Sequence, residues 1–344
     1  AAHHQKVVVI DEDTAFCSGI DVTNNRWDTR SHEEEHRHRL QPDGHDAGPW
    51  HDAAMVLQGD IAKALSEYAE QHWRDAGGKP VKTVTASADC WPKGLEADFT
   101  NCPIAIARTL PEMDDQEGVN EIENLYLDLI AAAKDFIYAE SQYFASARIA
   151  SAIAERLSEE SGPEIVIVNP ESAEGWLESE IMDSGRARIH EALKRRDKYN
   201  RFRIFHPFTA GGTPIYVHAK ILIVDDQYLR IGSSNFNNRS LGFDSECDVA
   251  IDASASPGQD VYKQIAHTRN DLLAEHLGVD QAEVEAAMAE TRSLIGTIEK
   301  LGEKGRRLRP YEAPNVDEVQ KWLADNDIFD PKRADNVIAG IISQ

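Results

Sequence analysis

Residues 218–235 read HAKILIVDDQYLRIGSSN, and residues 4–21 read HQKVVVIDEDTAFCSGID. The stretch from 218 has the pattern H-x-K-x4-D-x6-G-S-x-N, fixing His218, Lys220, Asp225, Gly232, Ser233 and Asn235. The stretch from 4 repeats its opening, with His4, Lys6 and Asp11 at the same spacing. Between lysine and aspartate each copy carries an apolar run, Val7 to Ile10 or Ile221 to Val224, which reads as a short strand. Residues two apart on a strand share a face, so each histidine points the same way as its lysine. A lone H-x-K means little, but chance agreement at these six positions is remote. Two copies predict a single site assembled from two repeats.

Two imidazoles and two ammonium groups around one cavity suit a phosphodiester. The lysines neutralise the non-bridging oxygens, each charge pair contributing on the order of 4 kcal/mol at an effective dielectric of about 20 and roughly 4 Å. A neutral imidazole can attack phosphorus while a protonated one gives its proton to the leaving oxygen, both forms being accessible near neutrality. The product of attack is a covalent phosphohistidine, resolved by water or another alcohol. A histidine in such a role needs a carboxylate to fix its tautomer. Asp52, ahead of Ala53 to Leu57, and Glu246, ahead of Cys247 to Ile251, are the candidates. Glu246 lies 28 positions after His218 and Asp52 lies 48 after His4; the polar, histidine-rich stretch 28–47 accounts for the 20-residue difference. Asp11 and Asp225 complete the motifs but stand past their strands, so they are either part of the catalytic set or turn residues.

Outward from the motifs, helix and strand patterns alternate. Helical periods span Asp60 to Trp73, Glu121 to Lys134, Ser146 to Ser158 and Leu177 to Arg196; strand patterns span Phe136 to Ala139, Glu164 to Val168, Arg203 to Phe205, Ile215 to Val217, Leu229 to Ile231 and Asp248 to Ile251. This predicts an α/β layered fold: two pseudo-symmetric α/β/α repeats sharing one active site, followed by a helical appendage. The expected divisions are 1–105, the remainder of a first repeat with a linker at 75–103; 106–257, a second repeat; and 258–344, a helical extension with helices at Asn270 to His276, Asp280 to Leu301 and Val316 to Asp325. Only three residues precede His4, against a long run of helix and strand before His218. The first repeat is therefore expected to be incomplete and the chain a fragment of a longer protein.

Composition narrows the partners. Sixty acidic residues against 36 basic ones give a formal net charge of −24. A nucleic-acid-tracking protein needs a basic surface, so the balance argues against a nuclease. An acidic exterior also repels anionic bilayers, so lipid binding is expected to rest on a focused pocket with peripheral membrane contact. No apolar run is long enough to span a membrane, and the expected location is cytoplasmic or peripheral to a membrane. Four cysteines without a C-x-x-C pair indicate neither a zinc site nor a disulfide framework. His32, His36, His38 and His45 fall in the polar stretch, where a solvated loop is the simplest reading and no metal site is assigned.

Beyond the motifs, the chain resembles the phospholipase D superfamily, particularly bacterial enzymes whose motifs look like the eukaryotic ones. The resemblance rests on GID at 19–21, RWD at 26–28, PWHDAAMVLQGDIAKAL at 49–65, IYAESQYF at 137–144, NNRSLGFDSECDVAI at 237–251 and LLAEHLG at 272–278, beside both motifs. It covers most of residues 4–280 and implies a phosphodiesterase that releases phosphatidic acid, with transfer to alcohols. It further implies His4 as nucleophile, His218 as general acid, and Lys6, Lys220 and Asn235 on phosphate oxygens. Glu140 and Gln142 would line the pocket, and no cofactor or metal would be needed. The first copy departs from the second: Ser18 and Gly19 stand where Gly232 and Ser233 stand, and Asp21 replaces Asn235. Only the second copy thus offers the full phosphate-contacting set. Cardiolipin-type phosphatidyl transfer, a nucleic-acid phosphodiesterase and an inactive binding shell are the alternatives.

Overall fold

The computed structural model describes residues 1–313 apart from 46, 83, 85–89, 114–116, 173–175, 257–259 and 303–304, and leaves the side chains of 176–184 undescribed. The first motif forms the hairpin β1 (Lys6–Ile10) and β2 (Thr14–Ser18). Asp11 and Glu12 make its turn with left-handed φ of 51° and 55°, which aspartate tolerates better than most residues. After the irregular stretch up to residue 49 come β3 (Trp50–His51), β4 (Ala54–Gln58) and α1 (Asp60–Asp75). Strands β1, β2 and β4 make a small antiparallel sheet, and α1 lays Ala62 and Leu65 against it.

The larger unit begins at β5 (Ile104–Leu110) and β6 (Val119–Asn120), followed by α2 (Glu121–Ala132) and β7 (Phe136–Glu140). Then come α3 (Ala147–Ser158), β8 (Glu164–Val168), α4 (Trp176–Arg196) and β9 (Phe202–Phe208). The second motif runs through β10 (Tyr216–Val217), β11 (Ile221–Val224) and β12 (Tyr228–Gly232) into α5 (Asn238–Gly242) and β13 (Glu246–Asp252). Three helices close the chain's described part, α6 (Val261–Leu277), α7 (Gln281–Thr291) and α8 (Leu294–Leu301), with a final strand β14 (Arg307–Pro310). Nine strands form one sheet in the order β14-β9-β8-β7-β11-β12-β13-β5-β6. Its β7-β8-β9 portion is parallel, and near-continuous apolar runs such as Ile165–Val168, all fully buried, are what a strand covered on both faces requires.

The α/β class expected from alternation is what the chain adopts. Several details differ, among them the helix expected at Asn270 to His276, which begins already at Val261. Strand β5 was not expected, because IAIARTL follows directly on a Gly- and Pro-rich stretch; its partner is β13, across the second motif. The single helix expected over Asp280 to Leu301 breaks at Arg292, which takes a left-handed φ of 52°, and Ser293 caps α8 by accepting the Gly296 N–H. Finally, the helical extension is no appendage. Val261, Ile265, Leu273, Leu277, Val284, Leu294 and Ile298 share one core with Tyr138, Val166 and Ile221, and β14 extends the sheet beyond β9. The helix expected at 316–325 lies outside the described residues.

Candidate active site

Each histidine is held twice by the opposite repeat. The His4 backbone N–H donates to the Ser245 carbonyl at 3.0 Å, and its ring Nδ1 lies 2.9 Å from both carboxylate oxygens of Glu246. The His218 backbone N–H donates to the His51 carbonyl at 2.8 Å, and its Nδ1 lies 2.8 Å from Asp52 Oδ2. In both cases the main-chain acceptor is the residue just before the carboxylate. The sequence placed each carboxylate after its own motif; in space the pairs are crossed, Asp52 serving His218 and Glu246 serving His4. This crossing joins the repeats into one site. With Nδ1 given to a carboxylate, Nε2 of each ring is left for chemistry.

The lysines follow the same symmetry. Lys6 Nζ donates to the His4 carbonyl at 2.5 Å, and Lys220 Nζ donates to the His218 carbonyl and to Gln142 Oε1 at 3.2 Å. A Cβ on Gly19 would stand 2.7 Å from Lys220 Cδ and 3.1 Å from Asp52 Oδ1; the first repeat's loop therefore lies directly on the second repeat's lysine, and only glycine permits it. Lys6 and Lys220 act on each other electrostatically, balanced by Asp52, Glu246 and Asp21. Burial lowers the Lys220 ammonium to a pKa of about 7, against the pull of Asp52. Burial, then Lys220, brings His218 down to about 4, so the ring is neutral at pH 7 in the empty site. Burial pushes the Asp52 carboxyl up, but its bond to His218 and the nearby cations outweigh this and hold it below the ordinary range. An aromatic wall borders His218: Trp50 stacks on Tyr216 with centroids 4.7 Å apart and sits 5.2 Å from the imidazole.

Other expected site residues have different duties. Asp225 takes a left-handed φ of 53° and accepts the backbone N–H groups of Lys134, Asp135 and Phe136, so it fixes the entry to β7 at the far end of β11 from His218. Asp11 is its exposed counterpart in the β1–β2 turn. Both are turn residues. Ser233 donates its hydroxyl to Glu246 and accepts the Cys247 N–H at 3.0 Å, orienting the carboxylate of His4. Gly232 packs on β13, where an added Cβ would stand 2.1 Å from Asp248 Oδ1; its role is close packing. Asn235 is buried, held through its backbone N–H on Ser240 Oγ and its side-chain oxygen 3.4 Å from Ser141 Oγ. Asp21, half-exposed, lies 3.6 Å from Lys6 Nζ. Gln142 reaches Lys220 and donates to the hydroxyls of Tyr143 and Tyr216.

Glu140 departs most from expectation. Its fully buried carboxylate meets His51 Nε2 at 2.6 Å, His276 Nε2 at 3.0 Å and the Tyr138 hydroxyl at 2.5 Å, so it anchors neighbours instead of lining the pocket. The same cluster takes in Glu275, 2.9 Å from His51 Nδ1 and 3.1 Å from His32 Nε2. His32 Nδ1 in turn lies 2.8 Å from Asp28, which also accepts from Arg39. The stretch 28–47 is thus tethered by a buried His32 and Arg39, not merely solvated. Ligand atoms of His32, His51 and Glu275, and of His51, Glu140 and His276, lie within 4.8 Å of one another, a spacing at which a cation fits. The same atoms hydrogen-bond to one another. Sequence reading overlooked His51, Glu275 and His276, although the strings carrying them, WHD and AEH, were in view.

Residues 126–269 match the family model described as cardiolipin synthase, PLD-like domain. Phospholipase D alpha 1 of Arabidopsis thaliana is 26% identical to the chain, the match covering 80% of this chain and 49% of the plant protein. Phospholipase D1 of Saccharomyces cerevisiae is likewise 26% identical, over 95% of this chain and 24% of the yeast protein. The chain thus spans about half the length of the plant relative, or less for the yeast one. Among solved structures, the phosphatidylserine synthase of Haemophilus influenzae Rd KW20 aligns with a TM-score of 0.52 at 16% identity, covering 78% of this chain and 61% of that one. That similarity concerns the fold.

Proposed function

The chain belongs to the phospholipase D superfamily, and on that premise we propose that it cleaves the head-group phosphodiester of glycerophospholipids through a phosphatidyl-histidine intermediate. The observation that carries this is the crossed pair of histidine–carboxylate dyads, each with a lysine from its own motif. Lys6 and Lys220 hold the non-bridging oxygens. The Nε2 of one imidazole attacks phosphorus, and the P–O bond to the head group breaks. The other imidazole gives the departing alkoxide its proton, then takes a proton from the incoming water or alcohol as that oxygen displaces the first histidine. The products are phosphatidic acid with water or a new phosphatidyl ester with an alcohol. Asp52 and Glu246 keep Nδ1 protonated throughout.

Attack by His4 with His218 as acid requires a proton on a ring that is neutral when the site is empty. The bound phosphodiester's own negative charge supplies the reason for it to arrive, since an anion beside an imidazole favours its charged form. The lipid reading over a nucleic-acid one draws on the net charge of −24. The test is incubation with phosphatidylcholine vesicles containing ethanol. Choline and phosphatidylethanol are the expected products; cutting of an oligonucleotide with neither product would overturn the lipid assignment.

A further inference from the structure

His51 touches neither lysine of the motifs, yet it stands at the junction of everything that places His218. Its carbonyl accepts the His218 backbone N–H at 2.8 Å, its strand β3 pairs in parallel with β10, and the next residue is Asp52. The pairing is only two residues long on each strand, too short to hold a register by itself. The side chain supplies the missing constraint. Both ring nitrogens face carboxylates from distant parts of the chain, Nε2 on Glu140 at the end of β7 and Nδ1 on Glu275 of α6, while the His276 ring lies 4.5 Å away by centroid. Glu275 is itself fixed by Arg30, at 2.9 Å, and by His32. A ring clamped at both ends between two rigid elements cannot slide along its strand.

We propose that His51 is a positioning residue for the Asp52–His218 dyad, and that Glu275, on a helix remote from both motifs, sets the dyad's geometry through it. The function of α6 in this account is to complete the active site as well as the core. The clamp acts on the main chain: releasing the His51 ring frees the carbonyl that holds His218 and moves the carboxylate attached to the next residue. Displacement of a catalytic group by about 1 Å costs roughly a hundredfold in rate. The inference rests on the proposed chemistry for its kinetic arm and on geometry alone for its spectroscopic arm.

The experiment uses the whole chain labelled with 15N-histidine. The hydrogen-bonded Nδ1 proton of His218 is identified as the low-field resonance lost in Asp52→Ala. In Glu275→Ala that resonance shifts or broadens, although circular dichroism and a cooperative thermal transition show an intact fold. On phosphatidylcholine, Glu275→Ala lowers kcat at least tenfold with KM within twofold, and adds no further loss in an Asp52→Asn background, because both changes act on one dyad. Glu275→Gln, which keeps one acceptor oxygen for His51, recovers part of the rate and serves also if the alanine variant fails to fold. An unchanged His218 resonance in both Glu275 variants, or full additivity with Asp52→Asn, overturns the proposal. If the wild-type chain releases no head group from phospholipid, the lipid reading fails, and the resonance alone decides the role of His51.

Discussion

On the proposed chemistry, phosphate binding and protonation are coupled at single residues. Lys220 sits near a pKa of 7 and His218 near 4 in the empty site, both lowered first by burial. An anion between the lysines raises both, so binding at pH 8 takes up protons. Calorimetry with glycerophosphocholine, a phosphodiester that does not titrate, is expected to give heats that vary with buffer ionisation enthalpy in the sense of uptake; buffer-independent heats would contradict the electrostatics described. Replacing either His4 or His218 by alanine is expected to lower kcat by roughly a thousandfold or more, since each loss removes one half of the proton and nucleophile exchange. At this scale the sequence was largely legible. Histidine and lysine two apart declare a shared face, and Asp52 and Glu246 stood at matching places after the motifs. The crossing of the dyads was not legible, because spacing along a chain does not say which of two symmetric partners a carboxylate faces. Nor was the duty of Gly232, whose motif position answers to a packed strand; Asp225, standing past its strand, already offered the turn role it has.

Elements explain why the motif looks as it does. Gly232 ends β12 against Asp248 on β13, and Asp248 in turn holds Arg230 and the Ser233 and Ser234 backbone in a buried ion pair. A methyl group at Gly232 would meet the Asp248 side chain and its Cα, so Gly232→Ala is expected to cost about 3 kcal/mol of stability by overpacking, measured by urea denaturation. Wild-type stability in that variant would show that β12 and β13 yield more readily than their burial suggests. Helix periods were easy to read because they recur over many residues, as in α2 and α3. The two-residue strand β3 leaves no periodic trace, yet its His51 carries the main-chain bond to His218. The buried cluster of His51, Glu140, Glu275 and His276 was hidden for a similar reason: charged and imidazole side chains in a sequence read as surface, and only partners 89 to 224 positions away from His51 make them interior.

The two motif-bearing parts are unequal in size, and each sets a histidine, a lysine and a carboxylate at the site. One contributes a three-stranded sheet and a helix, the other most of a nine-stranded sheet, and each lends the other its carboxylate. The C-terminal helices belong to the larger core, since α6 and α8 fill it with Val261, Leu273, Leu294 and Ile298. A chain ended at residue 257 is therefore expected to be insoluble or to lack a cooperative thermal transition; a soluble, cooperatively folding truncate would restore the view of a separable extension. Among the described residues no helix is long and apolar enough to cross a membrane. The central claim is that both repeats build one covalent phosphodiesterase site. Quenching the protein mixed with phosphatidylcholine in denaturant at mildly alkaline pH, where the phosphorus–nitrogen bond survives, followed by mass spectrometry of its peptides at that pH, tests this most directly. A phosphatidyl adduct is expected on the peptide carrying His4 or His218, abolished when both histidines are alanine; turnover with no adduct, or an adduct that survives in the double variant, would contradict a shared covalent site.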